Sequence, residues 1–496
     1  MRQVINSALE FGTVNIAQIK FDPKARDDIP KVLRGLQYMF ITKEIRESIF
    51  GLLEKDIAPG IDKKNGRPGM DLWIILVLGV LRLELNCDYD RIQELANYHS
   101  LIRKMFGHDI TDATYYQLQT VKDNVRLLSE ELLEEINTIV VNGGHLLTQK
   151  KSDEVLRGRC DSFVVETNVH YPTDSNLLYD AIRKVLQLTS ALCERHDLSD
   201  MRQYKYNIKQ VKTALRIIQK TRHSKSTKQN KLIIVHQQYI QLAHDQLIKV
   251  KALLVTLKRN KSLNIADNSL IQEICSYIAH AKRQISQIIR RVIKNEVIPH
   301  DEKVFSIFEP HTEWISKGKA GVPVELGIRV CILEDHNQFI LHHRVMVNET
   351  DDKVTVLMVD ACKKKFPTLA TVSYDKGFHS QDNQIALPAL LETAALPRKG
   401  KLSKADKQIE HSEAFLNAHK KHSAVESAIH SLEVHGLDIC PDHGIIGFRR
   451  YIALAIVTHN IHRIGAILHK QEQDKILRNI RKKSKAANSA IIQLAA

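Results

Sequence analysis

The most apolar run in the chain, LWIILVLGVL (Leu72 to Leu81), lies between Asp71 and Arg82. It has no polar side, so it predicts a helix buried all round, and it is too short to span a bilayer. The flanking pattern is helical as far as about residue 150. GRPGMD (Gly66 to Asp71) reads as a loop ending in an N-cap at Asp71. NCDYDRIQELANYHSLIRKMFG predicts a second helix from about Asp88 to near Gly107. TDATYYQL predicts a third start, capped by Thr111 or Asp112, and LLSEELLEEINTIVV a long helix that stops at Gly143-Gly144.

From Arg159 the period changes. Asp161, in RCDSFVVETNVHYPTD, opens the apolar run Phe163-Val164-Val165 and is expected near the start of a buried strand. Helical patterning returns after Asp174 and lasts to about Asn295. Strand-like runs then resume in ELGIRVCILE (Glu325 to Glu334), QFILHHRVMV (Gln338 to Val347) and TLATVSYD (Thr368 to Asp375), with the helix KVTVLMVDACKKKF between the last two. The reading is one α/β domain interrupted after its first strand. The expected division is an all-α part over 1–150, the α/β domain over 151–470 with a helical insertion over 176–300, and a basic tail over 471–496. For that tail, LRNIRKKSKAANS, a frayed helix end and a phosphate contact are both open.

Composition is that of an ordinary globular protein of 496 residues, 43% hydrophobic and 26% charged, long enough for two or three domains. The formal net charge of +15 and pI of about 9.3 suit a polyanion, nucleic acid being the usual one. Charge alone leaves a basic protein without such a partner equally open. The consecutive N-terminal helices suit a helix-turn-helix DNA reader or a plain scaffold. The seven scattered cysteines, Cys87, Cys160, Cys193, Cys275, Cys331, Cys362 and Cys440, form no CxxC pair and suggest reduced thiols in a cytosol. MRQVINSALEFG lacks the apolar core of a signal peptide, and no membrane association is expected.

One stretch is unusually one-signed. No acid occurs between Asp200 and Asp245, and Arg202, Lys205, Lys209, Lys212, Arg216 and Lys220 recur in three- and four-residue steps. All six share one side of a helix, beside a stripe of Ile208, Val211, Leu215 and Ile218. Like charges at this spacing repel, and a phosphate backbone relieves the repulsion. The plainer reading is a solvated face. The basic linker KTRHSKSTKQNK (Lys220 to Lys231) would touch the same ligand.

Three carboxylates carry candidate chemistry. Asp375 ends the last strand run before the Lys376-Gly377 turn, at a strand C-terminus, where α/β sheets carry their sites. Asp161 converges with it if their strands are neighbours. Glu426 flanks the apolar face Val425, Ile429 and Leu432 of a later helix and can point to the sheet edge. Converging carboxylates repel and raise one another's pKa, and divalent cations remove that penalty. Hard oxygen donors select magnesium or manganese, and a pair of such ions serves in-line phosphoryl displacement. Taken singly, each acid is better read as a cap or surface ion pair. The histidine pairs His342-His343 and His459 with His462 do not predict zinc, because no acid or cysteine completes a tetrahedral set at the usual spacing.

These residues also carry a resemblance. GRPGMDLWIILVLGVLRL, CDSFVVETNVHYPTDSNLLYDAI, SIFEPHTEWISKGKAGVPVELGIRV, TVSYDKGFHS, LPRKGK and KKHSAVESAIHSLEVHGLDICPDHGIIGFRRYIALAIVTHNIHRIG are similar to DDE transposases of bacterial insertion sequences, over most of residues 66 to 465. The resemblance implies an RNase H-like core, a mixed five-stranded sheet with flanking helices, interrupted after strand 1 and preceded by an all-α domain. It implies a catalytic and metal-binding trio: Asp161 in the first strand, Asp375 after the fourth, Glu426 on a later helix. It further implies two Mg2+ or Mn2+ ions, DNA partners (the element's terminal inverted repeats and the target), a homodimer, and a cytoplasmic bacterial setting. The expected activity is metal-dependent cleavage at element ends followed by attack of the freed 3′-hydroxyl on target DNA. A transposase-derived DNA binder or repressor without catalysis is the alternative.

Some relatives carry Tyr and Arg before the Glu and Lys after it; His419, His422 and Glu433 stand in the corresponding places here. Lys421 and His422 are therefore candidate phosphate contacts, with Lys317 and Lys319 in WISKGKAG, Arg398, Lys399 and Lys401 in LPRKGK, and Lys205, Lys209, Lys212 and Arg216 on the insertion. Glu166 is assigned no chemistry, His170 is open between supporting the site and pinning the turn around Pro172, and Asp174 is read as structural.

Overall fold

The computed structural model describes residues 3–5, 13–60, 69–148, 154–222, 229–260, 263–316 and 323–495, with side chains in the last helix as far as 482. The chain divides into two compact units, Met1–Asn168 with Ile315–Ala496, and Val169–Trp314.

The first unit is built on a mixed sheet. Its strands are β1 (Leu156–Thr167), β2 (Glu313–Ser316), β3 (Val324–Asp335), β4 (Ile340–Met346), β5 (Leu369–Tyr374), β6 (Thr393–Ala395) and β7 (Ile439–Cys440). The order is β2-β3-β1-β5-β6, with β4 also on β3 and β7 on β1. β1 runs antiparallel to β3, which runs antiparallel to β4, whereas β5 and β7 are parallel to β1 and β6 to β5. The four strand runs read from the sequence are β1, β3, β4 and β5. The sheet holds seven because β2, β6 and β7, four, three and two residues long, are too short to print a period on the sequence. Cys160, Phe163, Val165, Val330, Ile332, Val372 and Tyr374 fill its interior. Asp161 does not open β1 as expected; it is the sixth of twelve residues, because polar Arg157 and Arg159 are tolerated at paired positions before it.

Before the sheet come α1 (Asp28–Ile41), α2 (Lys43–Ile57), α3 (Leu72–Glu84), α4 (Tyr89–Tyr98), α5 (Ser100–Met105), α6 (Leu118–Val125) and α7 (Glu130–Thr148). α3 is buried at every position, as its sequence requires. Asp71 occupies its N-cap position without a side-chain cap bond; the first N–H groups, of Leu72 and Trp73, donate to the carbonyls of Gln3 and Val4. Residues 61–68, which include Gly66 to Pro68, lie outside the described residues. The helix expected over 88–107 is two, broken where His99 caps α5. Thr111 and Asp112 cap nothing: Asp112 accepts from Thr114 N–H at 2.7 Å in a local turn, and α6 starts later at Leu118.

The Gly143-Gly144 pair does not end α7 either. Both glycines are buried within it, and a Cβ on Gly144 would stand 2.3 Å from Cζ of Phe339. They serve close packing of α7 on the sheet layer rather than a C-cap. Asn137 donates to the Ile340 carbonyl at 3.1 Å and His145 Nε2 lies 2.6 Å from Asp335, so α7 and the sheet share one core. α7 and the sheet belong to the same compact unit.

Among the later strands come α12 (Asp351–Lys365) between β4 and β5, α13 (Gln381–Leu390) between β5 and β6, and α14 (Lys404–Glu410), α15 (Glu413–Lys420) and α16 (Ala424–Leu432) between β6 and β7; α17 (Gly444–Ala495) follows β7. α17 packs on α1, α3 and α7 and runs through residue 471 unbroken, so the basic tail continues a helix. By length and composition Gly444–Lys482 is apolar enough to cross a membrane, but 67% of its apolar window is buried against the rest of the protein.

The second unit holds α8 (Asp174–Arg195), α9 (Tyr204–Arg222), α10 (Gln229–Asn260) and α11 (Ile265–Ile288). They enclose their own core, which includes Leu178, Ile182, Val185, Val211, Leu215, Tyr239, Val250 and Ile274. The helical insertion is thus a separate body, somewhat longer at both ends than 176–300.

Candidate active site

Parallel pairing of β1 and β5 sets Cys160 beside Tyr374. The next residues along the two strands are Asp161 and Asp375. Asp375 lies just beyond the last residue of β5, at the N-cap position of a single turn, Lys376–Phe378. α16 packs against β1 through an apolar face that buries Val425, Ala428 and Leu432, and Glu426 stands in its first turn. The chain thereby gathers all three acids around one end of β5.

Their mutual influence is electrostatic. Burial pushes the Asp161 carboxyl up to about 6, and the negative charges of Asp375, Asp351 and Glu426 add to that push. The Ser162 N–H, donating to Asp161 Oδ1 at 2.7 Å, opposes it. Asp161 is half-buried, whereas Asp375 and Glu426 are exposed. The trio does not draw one oxygen apiece to within 4.8 Å of one another. Like charges so placed repel one another.

Asp351 is a fourth acid that sequence reasoning missed. It begins α12, and Ser162 Oγ donates to its Oδ1 at 2.6 Å. A Cβ on Gly377 would lie 3.1 Å from its Oδ2, which places Asp351 against the turn after Asp375. An acidic pair, Asp351-Asp352, at a helix start reads in sequence as complementing the helix dipole, so nothing singled it out.

Basic and neutral groups complete the surroundings. Lys399 Nζ donates to the Gly377 carbonyl at 3.0 Å, beside Asp375. His422 Nδ1 lies 3.2 Å from Ser373 Oγ; burial holds its imidazole below the usual range although Asp375 and Glu426 pull the other way. Arg159 pairs with Glu334 at 3.3 Å and donates to the Asp335 and Lys421 carbonyls at 2.6 and 3.4 Å. That guanidinium ties β1 to the loop leading into α16. Lys421 and Lys401 have exposed side chains.

Other expected contacts fare differently. Arg398 is committed to Asp406 at 2.9 Å, a structural pair that leaves it poorly placed for phosphate. Lys317 and Lys319 lie outside the described residues, as do 223–228 of the basic linker. In the second unit Lys205, Lys209, Lys212 and Arg216 are exposed along α9, opposite buried Val211, Leu215 and Ile218, and none forms an ion pair among the described residues. Further along that helix Lys220 and Arg222 line a cavity of about 1270 Å3 with Arg291, Lys303, Tyr171 and Trp314. Glu166 is remote from the trio, beside Glu325 and Asp438, and Asp174 pairs with Arg291 at 3.0 Å.

Two further groups can hold a metal ion, each bringing one ligand atom per residue within 4.8 Å: Glu84, His435 and His462, and Glu130, Glu134 and His343. In the second, Glu134 is already neutralised by Lys365 at 3.1 Å and Glu130 faces Arg449 at 3.8 Å. Compared with family models, curated proteins and solved structures, the chain matches none.

Proposed function

We propose that this protein is a DDE transposase: a metal-dependent enzyme that cuts DNA at element ends and joins the freed 3′ ends to target DNA. The observation that carries the reading is the register that sets Asp161 beside Asp375 on adjoining parallel strands, with Glu426 within electrostatic reach. The strand arrangement supports an RNase H-like core. Of the five strands β1, β3, β4, β5 and β6, the first in the chain bears one acid and the fourth ends at the second.

The donor set fits hard divalent cations. The oxygens are carboxylates, one carries a proton affinity raised by burial and by its neighbours' charge, and neutralisation by a cation relieves that strain. Asp161, Asp375 and Glu426 would hold Mg2+ or Mn2+, with Asp351 adjoining; bound ions supply Lewis-acid stabilisation of an in-line displacement at phosphorus. The chain's own residues do the remaining work. Arg159 fixes the loop ahead of α16, Lys399 and Lys421 offer charge to phosphate, and neutral His422 fills the space beside Asp375 without adding charge. The exposed row on α9 supplies a salt-sensitive track for the DNA backbone. Two ends must be held together for such chemistry, so the working form is a homodimer, in the cytoplasm and on the nucleoid when DNA-bound.

The test is cleavage of DNA bearing the element's own ends, in Mg2+, by the wild type and by Asp375→Asn. Cutting and joining by the wild type alone supports the reading. Tight binding without cutting by either would instead leave a DNA-binding relic.

A further inference from the structure

The sequence neighbours of His435 include Glu433 and Asp438, but the acid that the fold brings to both His435 and His462 is Glu84, from 351 and 378 residues away. Glu84 is the last residue of α3, where the helix dipole already disfavours a negative charge. Its side chain is 1% exposed. One carboxylate oxygen meets His462 Nδ1 at 2.5 Å; the other, Oε2, is buried without a hydrogen-bond partner. A desolvated carboxylate oxygen with no donor is costly and is rare in folded proteins. The nearest arginine in the chain does not relieve it: Arg82 is committed to Asp442 at 2.8 Å and to the face of Tyr89.

The two imidazoles are placed as ligands are. His435 Nδ1 lies 2.6 Å from the Glu84 carbonyl oxygen, which can only accept, so Nδ1 donates there and Nε2 is the ring nitrogen left to face a ligand. His435 is aimed by a kink, because Gly436 takes a φ of 103° and its carbonyl accepts from Tyr451. A side chain at 436 would collide with Tyr451 and Asn86 at 2.8 and 3.0 Å, so the turn is built for glycine. The His435 and His462 rings are 5.5 Å apart, and each of the three residues brings a ligand atom within 4.8 Å of the others. Both histidines are only partly buried.

We propose that Glu84, His435 and His462 form a zinc site, separate from the carboxylates around Asp161. Two imidazoles and one carboxylate are a zinc donor set, with water as the fourth ligand. The ion neutralises the orphaned Glu84 oxygen and ties three elements together: the end of α3, the turn after α16, and α17. His435 lies nine residues beyond Glu426 in the same stretch. The site thus anchors the helix that carries Glu426, and it does not rest on the strand-cutting reading.

The experiment uses full-length protein stripped with a chelator and then titrated with zinc chloride alone, with bound metal counted after dialysis and cobalt absorption as a second readout. About one equivalent per chain is expected for the wild type, for the Asp161→Asn, Asp375→Asn, Glu426→Gln triple variant, and for the exposed-site control His411→Gln. His435→Gln and His462→Gln are expected to bind at least tenfold more weakly. Should those variants misfold, the wild type decides alone: zinc raises its melting midpoint and the chelator lowers it. No stoichiometric uptake, uptake that survives loss of either histidine, or uptake lost with the three carboxylates would each overturn the assignment.

Discussion

Asp161 and Asp375 stand side by side one step beyond the Cys160–Tyr374 pair of two parallel strands, and burial, with the negative charge of Asp375 adding to it, makes the Asp161 carboxyl a stronger proton holder than an ordinary aspartate. An acid with a raised folded-state pKa binds more protons in the folded than in the unfolded chain between about pH 4 and pH 6. Stability of the metal-free protein therefore falls as pH rises through that window. Asp161→Asn removes the ionisation and should stabilise the metal-free protein by about 1–3 kcal/mol above pH 7, with no gain below pH 4. Thermal melts of both proteins in a chelator at the two pH values check this. Equal midpoints at neutral pH would mean that Asp161 carries no such strain.

The same proton competes with metal. A carboxyl poised near 6 must lose its proton before it can hold a cation, so the apparent affinity for Mg2+ should fall by about tenfold per pH unit below pH 6. The concentration of Mg2+ giving half-maximal DNA cleavage, measured from pH 5 to pH 8, reports it. A value independent of pH would detach Asp161 from the metal.

Asp351 should behave differently from the trio. Asp351→Asn keeps an acceptor for Ser162 Oγ but deletes one negative charge from the cluster. The expected result is roughly a tenfold rise in the Mg2+ requirement with cutting retained at saturating metal. Asp375→Asn, by contrast, should abolish cutting at any metal concentration. Identical behaviour of the two variants would make Asp351 a full member of the site.

The placement of Asp161, Asp375 and Glu426 was legible because each acid sits at a place the period marks: a strand, a strand end, an amphipathic helix. Asp351 was not, since an acid at a helix start has an ordinary explanation. The Glu84, His435, His462 group was invisible because its members lie on three elements that only tertiary packing brings together. The strongly apolar α3 and the strands β1, β3, β4 and β5 were read with the correct type. Failures came where one residue type serves two purposes. Thr111 and Asp112 look like caps but make turns, and Gly143-Gly144 looks like a helix stop but is a packing surface.

That last reassignment has a measurable consequence. If Gly144 ended a helix, alanine there would cost little or even help. Packed as it is against the wholly buried ring of Phe339, Gly144→Ala should destabilise the protein by about 1–3 kcal/mol through overpacking. Urea melts should show a lower midpoint with an unchanged slope. An unaffected midpoint would mean that the ring moves aside freely.

The basic row on α9 separates a binding surface from a solvated one. Lys205, Lys209, Lys212 and Arg216 are exposed, and none of them pairs with an acid among the described residues. Each phosphate neutralised releases condensed counterions and contributes about 0.9 to the slope of log K against log salt. Reversing all four to Glu should weaken DNA binding at low salt and reduce that slope by up to about 4. The helix itself should survive, because its core contacts run through Val211, Leu215 and Ile218 on the other side. Binding measured from 50 to 300 mM salt gives both quantities at once. A weaker affinity with an unchanged slope would point to a folding defect, and no change in either would return the row to the solvent.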